Sequence, residues 1–512
     1  MKRLLAVVIL SVSSNAAFAT NGYFAHGYSA SQRAQGGAGT ATSDDALIAT
    51  INPAGIGRLK SLRWDANLSL FVPRREFEAT APDATGLGIF ATDAGRVKSS
   101  HNLFAIPGFA IAGPINDTLS AGLAVYGNGG LNTVYKQGET NATFFGVNTA
   151  QPGNTGLVGN LLNGLGVNPG NLVGGVVSSR CQGAFGGGDA LANNPDLLGF
   201  CGNGNGTASV DLIQLFVTPT LAINVSERLS FGLSPIFAVQ RFEAKGLSAF
   251  APFSNAPGKV TDNGTSFSYG GGGRIGMLAT IAPGLDFGAS WQSRIHMTKF
   301  KEYAGLFPEQ GDFDIPSAWN LGLAWQPHPQ HRFLLDYQHI SFNEVASVGR
   351  PLNPQAFVSQ CALPRLAGKV TGLSSPSPSC LGADTGPGFG WQDMDIYKFG
   401  YQYSQGDWTW RAGYSQPNSQ PIPSSEVTLN ILAPGVVEQH YTLGVNWQAS
   451  PRWGFDLSMM YADADPVRGR NPLSNVQLLN GNLVTAGIDS GDQEIALDMR
   501  QYEVTFGMNY TY

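Results

Sequence analysis

The chain is short of charge. Only 13% of its residues are Asp, Glu, Lys or Arg, about half the usual fraction for a soluble protein. The balance is slightly acidic, −6 overall, so no basic face is on offer to nucleic acid. Long apolar runs are missing too. After the first twenty residues no stretch approaches the length a transmembrane helix needs. Cysteine is sparse: Cys181, Cys201, Cys361 and Cys380. These form two close pairs in segments rich in Gly, Pro and Ser. An even count in an exported chain points to disulfides. Three connectivities are open, and the two local ones, Cys181 with Cys201 and Cys361 with Cys380, are expected.

Glycine and aromatic residues are what the chain has instead. There are 66 glycines among 512 residues, and aromatics make up 11%. That aromatic content argues against disorder and fits an all-β protein with many turns. Lys2 and Arg3 precede an apolar run over residues 4–12, followed by Ala17-Phe18-Ala19. This is the pattern of an export signal cut after a small-x-small site. Residues 1–19 are expected to be removed, leaving Thr20 first. Losing Lys2 and Arg3 leaves 28 basic against 36 acidic residues, a net charge of −8.

An exported chain without a spanning helix is either soluble or crosses a membrane as a closed barrel. Alternation favours the barrel. At the C-terminus Tyr502, Val504, Phe506, Met508, Tyr510 and Tyr512 alternate with Glu503, Thr505, Gly507, Asn509 and Thr511. The same period of two runs through 62–70, 285–291, 319–325, 397–403, 408–414, 441–447 and 453–461. Weaker versions lie near 100–114, 118–128, 208–224, 229–243, 267–281 and 332–343. The connections are short near 114–117, 224–228, 282–284, 327–331, 405–407 and 449–452. They are long over 78–99, 129–207, 244–266, 301–312, 344–392, 417–437 and 464–498, and the two kinds alternate. Outer-membrane barrels have this asymmetry, with short periplasmic turns and long outer loops. Aromatic rings gather at strand ends, as in interfacial girdles. No blade-like repeat supports a soluble propeller.

These patterns predict an all-β fold: a 14-stranded antiparallel transmembrane β-barrel over residues 61–512, in the outer membrane of a Gram-negative bacterium. Both cysteine pairs fall in outer loops. The terminal Tyr512 resembles the aromatic signal read by barrel-assembly machinery. Residues 20–60 do not alternate. They are small, polar and Gly-rich, and are expected to form a hatch that plugs the lumen.

Several blocks carry a family resemblance. Asn21-Gly22-Tyr23, Gly36-Gly37-Ala38-Gly39, Asp44-Asp45-Ala46 and Asn52-Pro53-Ala54-Gly55 resemble the N-terminal hatch of the FadL family of outer-membrane transporters. Pro107-Gly108-Phe109, Gly122-Leu123-Ala124-Val125-Tyr126-Gly127, Phe313-Asp314-Ile315-Pro316-Ser317-Ala318-Trp319 and Asn430-Ile431-Leu432-Ala433-Pro434-Gly435 resemble its later blocks. The resemblance implies passive uptake of long-chain fatty acids or aromatic hydrocarbons by a monomer, without a cofactor, among lipid and lipopolysaccharide. It implies a pocket touching the hatch start, at Thr20, Asn21, Tyr23 and Phe24, and sideways exit through the wall.

The residues supply candidates for these roles. Leu157, Leu161, Leu162 and Leu165 have near-helical spacing and suit a capture surface; loop self-packing explains them equally well. Alternation turns Arg63, Arg274, Arg294, Lys398 and Arg411 inward, as partners for a ligand carboxylate or for lumenal Asp65, Asp286, Asp336, Asp393 and Asp456. Pro107-Gly108 interrupts a strand and marks a lateral-gate kink. Gly271-x-Gly273-x-x-Gly276 lacks the strand-to-helix context of a nucleotide loop. His328 and His331 have no third ligand nearby, so no metal is assigned. Competing functions are export of oxidised fatty acids, an outer-membrane lipase and a surface adhesin. Intact mass spectrometry of the purified protein should give a chain beginning at Thr20; an uncut N-terminus would reject the export signal.

Overall fold

The computed structural model describes residues 21–80, 91–92, 94–136, 142–143, 207–362, 364, 376–474, 476–479, 482–485 and 493–512. Thr20, the export signal, Leu157, Leu161, Leu162, Leu165, Cys181 and Cys201 lie outside the described residues.

Fourteen long strands form one ring. They are β1 Arg63–Ala79, β2 Phe104–Pro114, β3 Leu119–Tyr135, β4 Ala208–Ser226, β5 Leu229–Lys245, β6 Ser266–Ala282 and β7 Leu285–Gln292. The second half is β8 Ala318–His328, β9 His331–Ile340, β10 Met394–Gln405, β11 Trp408–Pro417, β12 Gln439–Gln448, β13 Trp453–Asp463 and β14 Glu494–Thr511. Each pairs antiparallel with its neighbours, and β14 closes on β1 from Arg63↔Thr511 to Ala79↔Ile495. Closure leaves no open edge, which a lipid environment demands.

The outward face is apolar. Leu68, Leu70, Phe506, Phe399 and Leu443 are exposed there. Two aromatic belts bound it. Near the periplasmic turns, Trp408 stacks on Trp447 with centroids 5.8 Å apart, and Trp453 meets Tyr510 at 4.9 Å. Towards the outer end, Trp319 meets Tyr337 at 4.9 Å and Tyr461 meets Tyr502 at 5.3 Å. Tyr512 is exposed on this face and packs on Tyr510. Rings at both levels suit the headgroup regions of a bilayer.

Residues 21–59 fill the lumen and are buried almost throughout. The short helix α1 Ala30–Ala34 opens with a capping box between Ser29 and Gln32. Asn52 explains the Asn-Pro-Ala block. Its side chain donates to Thr40 O at 2.8 Å and to Met277 O of β6 at 2.9 Å, and accepts from Ala54 N at 3.1 Å. It caps the turn Pro53–Arg58 and ties it to the wall in one step. Inward glycines let the hatch backbone touch the strands. A Cβ on Gly276 would stand 2.0 Å from Asn52 Oδ1, and one on Gly413 2.0 Å from Gly36 N. Gly276 is therefore a packing glycine in β6. Polar groups complete the seal. Asp336 of β9 accepts from the amides of Gly39 and Thr40, both at 2.8 Å, and Arg33 pairs with Glu503 of β14.

The alternation fails in three places. β3 continues to Tyr135, beyond the predicted end near 128, because Gly127-Asn128-Gly129-Gly130 hides the period. Asp393 stands before β10 and accepts from Asn343 N, outside the lumen. Arg294 lies past the end of β7 in an outer connection. Cys361 and Cys380 are joined, with Cα atoms 5.1 Å apart.

Removing one member of a buried ion pair costs about 3–5 kcal/mol. Glu503→Ala should therefore loosen the hatch. Limited proteolysis is expected to cut residues 21–60 in this variant while the barrel keeps its heat-modifiable gel mobility.

Candidate functional site

Two cavities lie in series, separated by the start of the hatch. The outer one lies beneath the outer loops. Leu131, Val210, Leu212 and Phe242 come from strand ends, and Phe307, Phe313, Phe389 and Leu432 from the loops. Its one side-chain hydroxyl among the described residues, Ser347, is spent on Asp312 O. Among the described residues no charged side chain lines it. In the neighbouring loop segment, burial pushes the Glu426 carboxyl up to about 7, and its oxygen accepts from Leu352 N at 3.1 Å.

Beneath it sits an aromatic cluster. Tyr23 lies 5.3 Å from Phe342, 5.7 Å from Trp391 and 6.3 Å from Phe313 by ring centroids. Phe24 packs edge-on to Tyr23 at 5.3 Å. Asn21 and Phe24 exchange both backbone hydrogen bonds, a tight turn that requires Gly22 at φ +63°. The Trp391 indole donates to Asn430 at 2.6 Å. Phe24 lines the cavity below and Tyr23 meets Phe313 of the outer one, so the two form a hatch tip between the cavities.

The lumenal cavity is the smaller of the two, with room for about one water molecule. Phe24, Tyr28, Ile51 and Ala318 line it, with Gln292, Gln338, Arg274 and Lys398. Among the described residues no carboxylate lines it. Arg274 is buried and donates to Gln292 Oε1 at 2.5 Å, Tyr126 Oη at 3.1 Å and Ala49 O at 3.4 Å. Lys398 reaches the carbonyls of His26 and Gly37 at 3.4 Å each. Neither forms an ion pair among the described residues. The other three inward-read cations are neutralised by protein. Arg63 pairs with Asp65 at 2.5 Å. Arg294 pairs with Asp314 at 2.8 Å, and Arg411 with Asp456 at 3.4 Å. Sequence parity found Arg274 and Lys398 but not their shared cavity, which depends on how the hatch packs.

The wall is incomplete across the hatch from this cavity, where Phe24 and Ala25 meet β3. β2 and β3 pair only from Gly108↔Tyr126 to Pro114↔Ser120. Above Gly108, Phe104–Pro107 have no partner in β3. The strands meet again where Ser100 N donates to Val134 O at 2.8 Å. Between these points β3 turns inward, and residues 127–133 are buried on both faces. The hatch covers the gap. Ala25 N donates to Asn128 O and Gly130 N to Tyr23 O, each at 3.1 Å. Tyr28 packs on Tyr126 at 4.7 Å at the lower edge. Pro107 and Gly108 therefore mark one margin of the window. The inward bend itself belongs to Gly127-Asn128-Gly129-Gly130, whose run of glycines was its only trace in the sequence.

A closed fourteen-stranded barrel with two lipid-interface belts and a hatch in its lumen is the architecture of an outer-membrane transport protein. The chain belongs to the outer membrane protein transport protein family (OMPP1/FadL/TodX), whose profile matches residues 6–152 and 199–481. No curated protein sequence matches it significantly. Among solved structures, the Pseudomonas putida toluene transporter TodX is 14% identical, with a TM-score of 0.54 over 95% of this chain and 99% of that one. The Ralstonia pickettii toluene transporter TbuX is 13% identical, with a TM-score of 0.52 over 95% and 99%. A Pseudomonas aeruginosa FadL homologue is 13% identical, with a TM-score of 0.55 over 96% and 99%. At these identities the likeness is one of fold.

Gly129 bears on the window directly. A Cβ there would stand 2.0 Å from Tyr23 O. Gly129→Ala should push Tyr23 and Ala25 off β3, so the Ala25 and Gly130 amides lose protection in hydrogen exchange. Unchanged protection would show that the hatch does not rely on this contact.

Proposed function

We propose that this protein takes up long-chain fatty acids passively. The alkyl chain enters the outer apolar cavity, moves past Tyr23 and Phe24 into the lumenal cavity, and leaves sideways between β2 and β3. Each methylene moved out of water contributes about 0.8 kcal/mol, so an unlined apolar path is sufficient to draw an alkyl chain inward. The observation that carries the fatty-acid reading is buried Arg274 at the lumenal cavity, without an ion pair among the described residues; Lys398 beside it lies opposite Asp336 in the register. Arg274 and Lys398 suit a carboxylate head, and a charge-assisted hydrogen bond is stronger than a neutral one. Nothing in this path requires covalent chemistry, and transport rather than catalysis is the family's activity.

A second reading is uptake of aromatic hydrocarbons. The uncharged, phenylalanine-rich outer cavity favours it, as do the toluene transporters among the similar folds. The two readings separate at Arg274. Losing a charged hydrogen bond costs about 1.5–3 kcal/mol, which is about tenfold to a hundredfold in affinity. Arg274→Gln should weaken oleate binding by that factor and leave ethylbenzene binding unchanged. Equal loss of both would point to general disruption of the hatch. Tight ethylbenzene binding with no oleate binding in the native protein would move the substrate to hydrocarbons.

A further inference from the structure

The outward face of β1 and β14 changes character abruptly. From Leu68 and Phe506 up to Val72 and Tyr502 it is apolar or aromatic. The next row is Arg74 directly opposite Arg500, and both side chains are exposed. Like charges directly opposite on one face of a strand pair destabilise it. Neither arginine forms an ion pair among the described residues. The Arg74 guanidinium lies over the Tyr502 ring, 5.4 Å from its centroid, and so stays beside the belt.

The acids nearby do not resolve the conflict. One row further out, Glu76 is engaged by Arg96 at 3.1 Å and by Lys98 at 3.8 Å. Glu78 pairs with Arg96 at 3.0 Å, and Glu494 with Arg468 at 3.5 Å. Asp498, opposite Glu76, forms no ion pair with either arginine. Register places Arg470 on the same face, opposite Glu494. Asp463 of β13, the residue after the Ala462↔Gln501 pair, accepts from the Tyr461 hydroxyl at 2.8 Å and forms no ion pair with Arg500 among the described residues.

Height decides what such a row meets. Trp64, in the periplasmic belt, is ten residues from Arg74 along β1. At about 3.3 Å per residue and a tilt near 40°, the separation is roughly 25 Å, the height of the apolar band of such barrels. Arg74 and Arg500 thus stand at the headgroups of the outer leaflet, beside Tyr461 and Tyr502.

We infer that Arg74 and Arg500 together bind a phosphate group of an outer-leaflet glycolipid, the phosphorylated lipid A of lipopolysaccharide. One phosphate between two guanidiniums relieves their repulsion and accepts paired hydrogen bonds from each. The acyl chains of the same molecule lie along Leu70, Val72, Val504 and Phe506. The site is on the outer wall, so it stands or falls independently of the substrate carried inside.

The test is native mass spectrometry of the detergent-purified full chain with defined probes: bisphosphorylated lipid A, the same lipid dephosphorylated, and inorganic phosphate as competitor. The native protein should retain bisphosphorylated lipid A. The double variant R74S/R500S should bind it about 30-fold more weakly, the effect of two surface cations near an anionic leaflet. Dephosphorylated lipid should bind the native protein as weakly as the variant binds the phosphorylated one. Equal retention by native and variant protein would overturn the site, and so would equal binding of both lipids. Displacement by inorganic phosphate would make it a free-anion site and overturn the lipid assignment. R500S alone, with heat-modifiable mobility as the folding check, gives the same reading should the double variant fold poorly.

Discussion

Backbone pairing in lipid is the constraint on which the rest depends. Each N–H and C=O facing the bilayer core must have a partner, because no water is there to supply one. Fourteen strands answer it by closing β14 on β1. A transport route through the wall works against that closure, since it needs a place where the ladder stops. Here the ladder stops between β2 and β3 above Gly108 and Tyr126. The hatch resolves the conflict by lending its own backbone: Tyr23 and Ala25 bond to Gly130 and Asn128 where β2 is absent. The segment that blocks the lumen is thus also the missing strand of the wall.

That double duty explains why the hatch is held so firmly elsewhere. Asn52 fixes it to β6, Asp336 to β9, and Arg33 to Glu503 on β14. Inward glycines such as Gly276 and Gly413 bring backbone against backbone, so these polar contacts are short and shielded. Anchors spread around the ring fix the body of the hatch, and its first residues are tied separately to β3 and the aromatic cluster. Those first residues cover the window.

Local properties of the chain were legible in its sequence, and non-local ones were not. Alternation needs only neighbours, so fourteen strands and the short-long rhythm of their connections could be read directly. The same rule placed Arg274 and Lys398 inward. It misread Asp393 and Arg294, because a parity count carries past the end of a strand. β3 was cut short at Gly127-Asn128-Gly129-Gly130, since glycine carries no hydrophobic signal, and there the strand leaves the wall. The outer cavity was invisible: Val210, Phe242, Phe313 and Leu432 meet only after the loops fold over the barrel.

The distribution of charge along the path suggests why two cavities are used. An ion in the outer one would have no partner among the described residues, so that cavity would select for apolar surface alone. The lumenal one carries cations whose burial is unfavourable by itself. Desolvating a guanidinium costs several kcal/mol, and neutral hydrogen bonds return only part of that. Arg274 has three such bonds and no counter-charge among the described residues. A carboxylate arriving there would supply the missing charge at little further cost, since the cation was already dehydrated when the protein folded. Affinity for the alkyl chain would then reside mainly in the outer cavity and discrimination by head group in the inner one. The hatch tip at Tyr23 and Phe24 separates the two, and it pairs with the strand that leaves the window open. A ligand displacing that tip would loosen the wall at the same moment that it reached the inner cavity.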